Sequence, residues 1–132
     1  MRPGPERHRT RERALEILYE AEIKGRPVGE VLAALPVAPD PYTAELVGSV
    51  EAHRARAEAL IAGTAVDWPL ERLALVDRLV MTLAVGEMLL PEPPPLAVIL
   101  DEAVELAQGF STEGSASFVN GVLAALARRL TD

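Results

Sequence analysis

The hydrophobic positions of this chain recur every three or four residues over long segments, the spacing that places them on one face of an α-helix. Residues 6–24 carry a first stripe of this kind, which includes Ala14, Leu18 and Ala21. A glycine and then a proline follow it and end the predicted helix. Residues 28–35 fit a short second helix, which prolines close.

A long third helix is predicted to end at Gly63. Its apolar face consists of Leu46, Val50, His53, Ala57 and Leu60. The proline-rich segment 36–41 precedes this helix, and we expect it to separate an N-terminal subgroup of helices from the rest.

The segment of residues 67–71 has the features of a helix start. Asp67 can accept hydrogen bonds from free backbone N–H groups, and Pro69 stands where its missing N–H is harmless. Glu71 favours the positive end of the helix dipole. The helix expected from there, residues 70–90, is apolar on more than one side and is predicted to be the central, most buried element.

Four prolines between residues 91 and 95 break the chain after the central helix. Two further helices are predicted over residues 97–109 and 115–130, with a turn at residues 111–114. Strand-like alternation is scarce. The sequence therefore predicts an all-α bundle of six or seven helices.

Charge is distributed unevenly along the chain. The formal net charge is -7, yet the first thirteen residues hold five of the thirteen basic side chains. Residues 27–132 hold six basic and fifteen acidic side chains, so most of the surface repels nucleic acid. The basic segment of residues 2–13, here called the arm, is the candidate for contact with RNA or DNA.

Four arginines of the arm have the spacing of two rows on a helix. Arg7 and Arg11 are four residues apart, as are Arg9 and Arg13. They lie too close to the N-terminus to be expected in the core. Positive charge there opposes the helix dipole, and bidentate contacts to phosphate would offset that cost. Charge alone leaves nucleic-acid binding and a solvated helix end equally open.

The sequence contains little that indicates a catalytic site or a metal site. The chain has no cysteine and no glycine-rich phosphate loop. His8 and His53 have no acidic partner at a metal-ligand or catalytic spacing, so we expect no metal ion and no cofactor. Asp77 and Glu87 could act as an acid–base pair on one helix face, but pairing with an arginine or contact with a partner protein is the preferred interpretation.

No stretch approaches the roughly 18 apolar residues of a membrane span. We therefore expect a soluble, cytoplasmic protein that does not contact a membrane.

Asn120 and Gly121 are unfavourable inside a helix, by up to about 1 kcal/mol for glycine. We expect Gly121 to mark the close approach of another backbone and Asn120 to be bonded to a neighbouring element. Phe110 and Phe118 fit either the core or stacking on a base, and the core is the preferred interpretation.

Together these segments resemble the family of the transcription antitermination factor NusB. The resemblance is carried by residues 11–15 (RERAL), 18–19 (LY), 68–70 (WPL), 72–73 (RL), 76–78 (VDR), 102–107 (EAVELA) and 118–123 (FVNGVL). The last two motifs are the most specific.

The resemblance implies an all-α fold of two small helical subdomains, about residues 1–64 and 65–132, and a protein without catalytic activity. It also implies that the protein pairs with NusE, a ribosomal protein, and that both bind the boxA element of nascent RNA. The pair would help to assemble the antitermination complex on RNA polymerase, notably on ribosomal RNA operons. Homodimers of the free protein are compatible with the family.

The resemblance also assigns roles to residues. The RNA-binding residues would be Arg7, Arg9, Arg11, Arg13, Tyr19, Gln108, Phe110 and Phe118. The residues facing a protein partner would be Asp77, Arg78 and Glu87, and Glu87 matches a position where the family has an acid facing NusE.

Two other classes of function stay open. A helical adaptor would bind NusE or another protein without sequence-specific RNA binding. An RNA-modifying enzyme would need a cofactor-binding domain, for which a chain ending at Asp132 leaves no room.

Replacing Arg7 and Arg11 with Ala is predicted to weaken RNA binding, because each lost phosphate contact flattens the salt dependence by about one unit of slope. Thermal stability is expected to stay unchanged. RNA titrations at two salt concentrations, together with thermal unfolding, measure both quantities, and unchanged affinity would contradict the assignment.

Overall fold

The computed structural model describes residues 5–65, 68 and 73–131. Six helices follow one another in this part of the chain: α1 (Pro5–Lys24), α2 (Val28–Ala33), α3 (Pro41–Thr64), α4 (Leu75–Met88), α5 (Leu96–Phe110) and α6 (Ser115–Thr131). The described residues contain no strand, and the predicted all-α bundle is confirmed. None of these helices is long and apolar enough to cross a membrane.

The helix α4 is the centre of the fold, because it packs against α1, α3, α5 and α6. Every residue from 79 to 87 is buried. Each buried Leu or Val side chain contributes roughly 1.5–3 kcal/mol, so this helix anchors the hydrophobic core. The predicted central helix is confirmed, whereas the division into two subdomains near residue 65 stays a prediction.

The predicted start of this central helix is wrong by five residues. Ala74 has an extended backbone (φ -57°, ψ 137°) and immediately precedes the first helical residue, Leu75. The capping residues Asp67, Pro69 and Glu71, which motivated the earlier start, lie outside the described residues. Within α4, Asp77 provides the negative charge that the positive end of the helix dipole favours.

The end of α1 is fixed by a left-handed glycine, as its sequence predicts. Gly25 has a φ of 63°, a conformation that costs other residues a steric penalty. The Arg26 N–H reaches back to the Ala21 carbonyl at 3.0 Å, and the Gly25 N–H donates to the Glu22 carbonyl at 3.3 Å. This pair of bonds is the Schellman motif, which satisfies carbonyls at the helix end and turns the chain into α2.

Two helices approach each other closely at Gly86, and the expectation for Gly121 is wrong. A Cβ atom on Gly86 would lie 2.7 Å from Val50 Cγ2 and 3.4 Å from the Val50 backbone, so α3 and α4 touch there. The Ser49 hydroxyl also donates to the Gly86 carbonyl at 2.7 Å. Gly121 has no atom within 4 Å of its Cβ position, and both it and Asn120 face outward from α6.

Gly86→Ala is predicted to lower the free energy of unfolding by about 1–3 kcal/mol, because the stiff Val50 side chain and the α3 backbone must shift. Urea denaturation measures the change. Gly121→Ala is the matched control, since it adds the same methyl group to an open helix position and is expected to stabilise by about 0.5–1 kcal/mol. A Gly86→Ala protein as stable as the parent would contradict the close contact.

Candidate nucleic-acid interface

The four arginines of the arm that lie on α1 divide between the surface and the interior. Arg9 and Arg13 are exposed on the outer face of α1. Arg7 is half-buried, with its guanidinium 3.6 Å from the centre of the Tyr42 ring. Arg11 is only 2% exposed, so the expectation that all four lie outside the core is wrong for Arg11. One of the two predicted rows faces solvent and the other turns towards α3 and α4.

Arg11 forms a two-pronged ion pair with Glu87 of α4. Its Nε atom donates to both carboxylate oxygens, at 2.9 and 3.1 Å, and its Nη2 atom donates to Oε2 at 2.7 Å. The Tyr42 hydroxyl of α3 donates to the same carboxylate. Both charged side chains are almost fully buried. The network therefore joins α1, α3 and α4 at one point.

The charges in this network are stabilised by each other. Burial alone would lower the pKa of Arg11, but the hydrogen bonds and the charge of Glu87 outweigh it and raise that pKa. Burial and the hydrogen bond to Glu87 raise the pKa of Tyr42 well above its usual value, so its hydroxyl stays a donor. Removing one partner of a buried pair is costly because it leaves an unpaired charge.

Glu87 was expected to present its carboxylate to a protein partner. In the structure Glu87 instead bonds within the protein. Arg11 and Tyr42 donate to its carboxylate oxygens, and the residue is only 2% exposed. Its contact with a partner stays a prediction, whereas its expected exposure is wrong. The local sequence gave no sign of this, since Arg11 and Glu87 are 76 residues apart.

Asp77 is likewise buried and bonded within the protein. It accepts hydrogen bonds from the hydroxyls of Ser111, at 2.6 Å, and Ser115, at 3.1 Å, and so ties α4 to the start of α6. Asp77 and Glu87 lie near opposite ends of α4, about 15 Å apart along its axis. An acid–base pair between these two carboxylates is therefore excluded.

Arg78 bridges α4 to two other helices. It donates to Glu22 of α1 at 2.8 Å and lies 3.8 Å from Glu58 of α3. The Arg78 side chain is 24% exposed, so it is more accessible than the buried side chains of Asp77 and Glu87.

Two aromatic rings form an exposed groove beside α1. Tyr19 is 43% and Phe110 41% exposed, and both line the groove together with apolar residues and with Glu16 and Glu20. Gln108 is exposed on the same last turns of α5. The preferred core position of Phe110 is therefore wrong.

Phe118 behaves differently from Phe110. It is half-buried against the hydrophobic core, as expected, and its ring meets that of Trp68 edge-on, with the centroids 6.4 Å apart. Its position fits packing better than stacking on a base.

His8 has the acidic neighbours that its sequence spacing did not predict. Its Nδ1 atom lies 2.6 Å from Glu102 Oε2 and 3.6 Å from Glu105 Oε2. The hydrogen bond to Glu102 raises the pKa of His8. Burial lowers it, but by less, so the pKa lies above its usual value. Both acids lie on α5, and Glu102 is 94 residues away from His8 in the sequence. Only the fold, which brings α1 next to α5, reveals these neighbours.

Comparison with known proteins identifies the relatives of this fold. Residues 8–128 match the sequence model of the NusB family. The transcription antitermination protein NusB of Acidothermus cellulolyticus is 46% identical over 126 residues, which cover 92% of this chain and 87% of that protein. The structure of T. maritima NusB is 30% identical, with a TM-score of 0.82 over 97% of this chain and 93% of that chain.

A structure of the antitermination factors NusB and NusE in complex with double-stranded RNA is also similar. Its TM-score is 0.80 at 24% identity, and the match covers 93% of this chain and 96% of that one. At this identity the likeness is one of fold.

Arg11→Met is predicted to lower the free energy of unfolding by about 3–5 kcal/mol, because Glu87 is then buried without its cation. This replaces the earlier expectation that loss of Arg11 leaves stability unchanged. Urea denaturation measures the effect, and the double variant Arg11→Met/Glu87→Met is expected to regain most of the loss.

Arg13→Met is the matched control for this substitution. Arg13 is exposed and pairs with Glu16 at 3.3 Å, an interaction expected to contribute only about 0.2–1 kcal/mol. Equal small losses for the Arg11 and Arg13 variants would contradict the role of the buried pair.

Proposed function

The chain belongs to the NusB family, and on that premise we propose that it is a transcription antitermination factor. It binds boxA RNA together with NusE and helps to assemble the antitermination complex on RNA polymerase, notably during transcription of ribosomal RNA. This role requires no catalytic step and no cofactor, and it locates the protein in the cytoplasm with the transcription machinery.

The exposed arginine face of α1 is the observation that carries the proposal. Arg9 and Arg13 project from the outer side of a helix whose inner side is buried. Arg7 lies beside them, stacked on Tyr42. Guanidinium groups held on a rigid helix bind phosphate bidentately and lose little side-chain freedom in doing so. The three arginines form the phosphate-binding part of an RNA-facing surface.

Arg11 acts as a positioning residue for this surface. Its guanidinium is occupied by Glu87, so phosphate has no access to it without breaking the buried pair. The pair fixes the rotation of α1 about its axis and thereby turns Arg9 and Arg13 outward. In this proposal Arg11 does not contact RNA itself. It instead holds Arg9 and Arg13 in the orientation in which they do.

The aromatic groove supplies a place for a base. Tyr19 and Phe110 expose ring surface one to two turns beyond Arg13, and stacking on such rings contributes about 1–3 kcal/mol per base. The carboxylates of Glu16 and Glu20 line the same groove and repel phosphate. A chain of RNA thus fits with its backbone at the arginines and a base over the rings. Gln108 does not line the groove, and its contact with RNA stays a prediction.

NusE is the proposed protein partner. Outside the arm, the body of this protein is strongly acidic, which suits a basic ribosomal protein. A fold relative has been solved with NusE and double-stranded RNA. Among the predicted partner residues Arg78 is the most accessible, and Asp77 and Glu87 support the helices that carry the contact surface.

The helical adaptor without sequence-specific RNA binding is the second candidate. The acidic body favours it, because fifteen acidic side chains beyond residue 26 weaken the attraction of any RNA. Both candidates bind NusE. They differ in whether the arm binds RNA in a sequence-specific way.

Arg9→Ala tests the RNA-facing surface. An exposed cation about 4 Å from a phosphate contributes about 1 kcal/mol in water, equivalent to about fivefold in affinity. We expect that loss for labelled boxA RNA, together with a salt slope smaller by about 0.7. Fluorescence anisotropy with and without NusE, at low and physiological salt and against a scrambled RNA, measures both effects.

Arg26→Ala is the control for this substitution. Arg26 is an exposed arginine just beyond the other end of α1, about 20 Å along its axis from Arg9, and its loss removes the same charge. Selective boxA binding that NusE strengthens, and that Arg9→Ala weakens more than Arg26→Ala, supports the proposal. Equal effects of both variants, or equal binding of boxA and scrambled RNA, would leave the adaptor.

A further inference from the structure

We propose that His8, Glu102 and Glu105 form a binding site for a first-row divalent metal ion of the Zn²⁺ class, which fastens the first turns of α1 to α5. The site goes beyond the proposed RNA and NusE contacts, since it needs neither partner. Each of the three residues offers one ligand atom, and these atoms lie within 4.8 Å of one another.

Two of the distances among the ligand atoms can be compared with those around a tetrahedral ion. Zinc binds nitrogen and carboxylate oxygen at about 2.0–2.2 Å, which separates neighbouring ligands by about 3.4 Å. Glu105 Oε2 is already 3.6 Å from His8 Nδ1. Glu102 Oε2, at 2.6 Å, has to retreat by about 0.8 Å to make room for the ion.

Two further charged groups, Glu12 and Arg11, lie next to the ligands. Glu12 Oε2 lies 3.8 Å from His8 Nε2, on the opposite side of the ring. A carboxylate at the second ring nitrogen is the usual partner of a metal-bound histidine, because it fixes the ring and the tautomer. At 3.8 Å Glu12 lies beyond hydrogen-bond distance and takes this role only after a small movement, whereas Nδ1 is the ring nitrogen that faces Glu102 and Glu105.

Glu102 is held from its other oxygen. Arg11 Nη1 is buried, has no hydrogen-bond partner, and lies 3.6 Å from Glu102 Oε1. This contact leaves Glu102 Oε2 as the oxygen that faces His8. The cation of Arg11 thus orients one metal ligand and, through its other nitrogens, keeps Glu87 paired.

The ligand types select the metal class. One imidazole and two carboxylates suit zinc and its neighbours in the first row, whereas magnesium prefers oxygen ligands alone. Three protein ligands leave a fourth position for water. Glu12, Glu102 and Glu105 also concentrate negative charge at this point, which favours a divalent cation.

The site lies beside the RNA-facing surface. His8 precedes Arg9 on the same turn of α1, so a bound ion fixes the turn that presents Arg9. A bound divalent ion also adds positive charge close to the arginines.

Isothermal titration of the chelator-treated protein with ZnCl₂ tests the site, and titration with CoCl₂ reports a tetrahedral ion by its visible absorption. We expect one ion per chain. His8→Ala is expected to lower the affinity more than about tenfold, because losing even an outer partner of a ligand typically costs about tenfold or more. Glu105→Gln changes an oxygen at a side chain that is 62% exposed, so it should weaken binding without disturbing the fold.

The chain offers matched controls for both substitutions. His53→Ala removes the other histidine, and Glu113→Gln removes an exposed carboxylate outside the site. Loss of binding in the His8 and Glu105 variants, with binding retained in both controls, establishes the site. Absence of one-to-one binding to the parent, or equal affinity of the parent and His8→Ala, overturns it. The titrations contain no RNA, so their failure leaves the antitermination proposal standing.

Discussion

A carboxylate enclosed by helices needs hydrogen-bond donors around it, and Glu87 is enclosed in this way near the end of α4. Arg11 and Tyr42 supply the donors from α1 and α3, so one ion pair fixes three helices relative to each other. The pair is costly to break and contributes little net energy over a well-packed apolar substitute. Its effect is on geometry, since it determines which side of α1 faces solvent and therefore where the remaining arginines point.

The sequence predicted the elements of this fold well and their charged contacts poorly. Apolar periodicity and the glycine after α1 depend on neighbours within a turn or two, and both predictions are confirmed. Arg11 and His8 have partners 76 and 94 residues away, which no local spacing reveals. The same limit explains Gly86 and Gly121: both are glycines within a helix, and only the crossing of α3 over α4 distinguishes them.

Opposite charges are separated in sequence and interleaved in space. The arm is basic and the body acidic, yet the arm's inner side chains meet the acids of α4 and α5. These contacts neutralise the inward-facing basic side chains of the arm. A small group of basic side chains remains on the outer side, and Arg9 and Arg13 are its exposed members. An acidic protein can in this way present a local positive surface while the rest of it repels nucleic acid, which confines RNA to one side.

The contact between Gly86 and Val50 constrains how this sequence can diverge. The helices α3 and α4 are so close there that a larger residue at position 86 needs a smaller one at position 50, or a displaced α3. The two positions therefore share one volume and can be exchanged only together. A larger residue at position 86 alone therefore lowers stability, whereas a pair of replacements that keeps the combined volume preserves the crossing of α3 over α4.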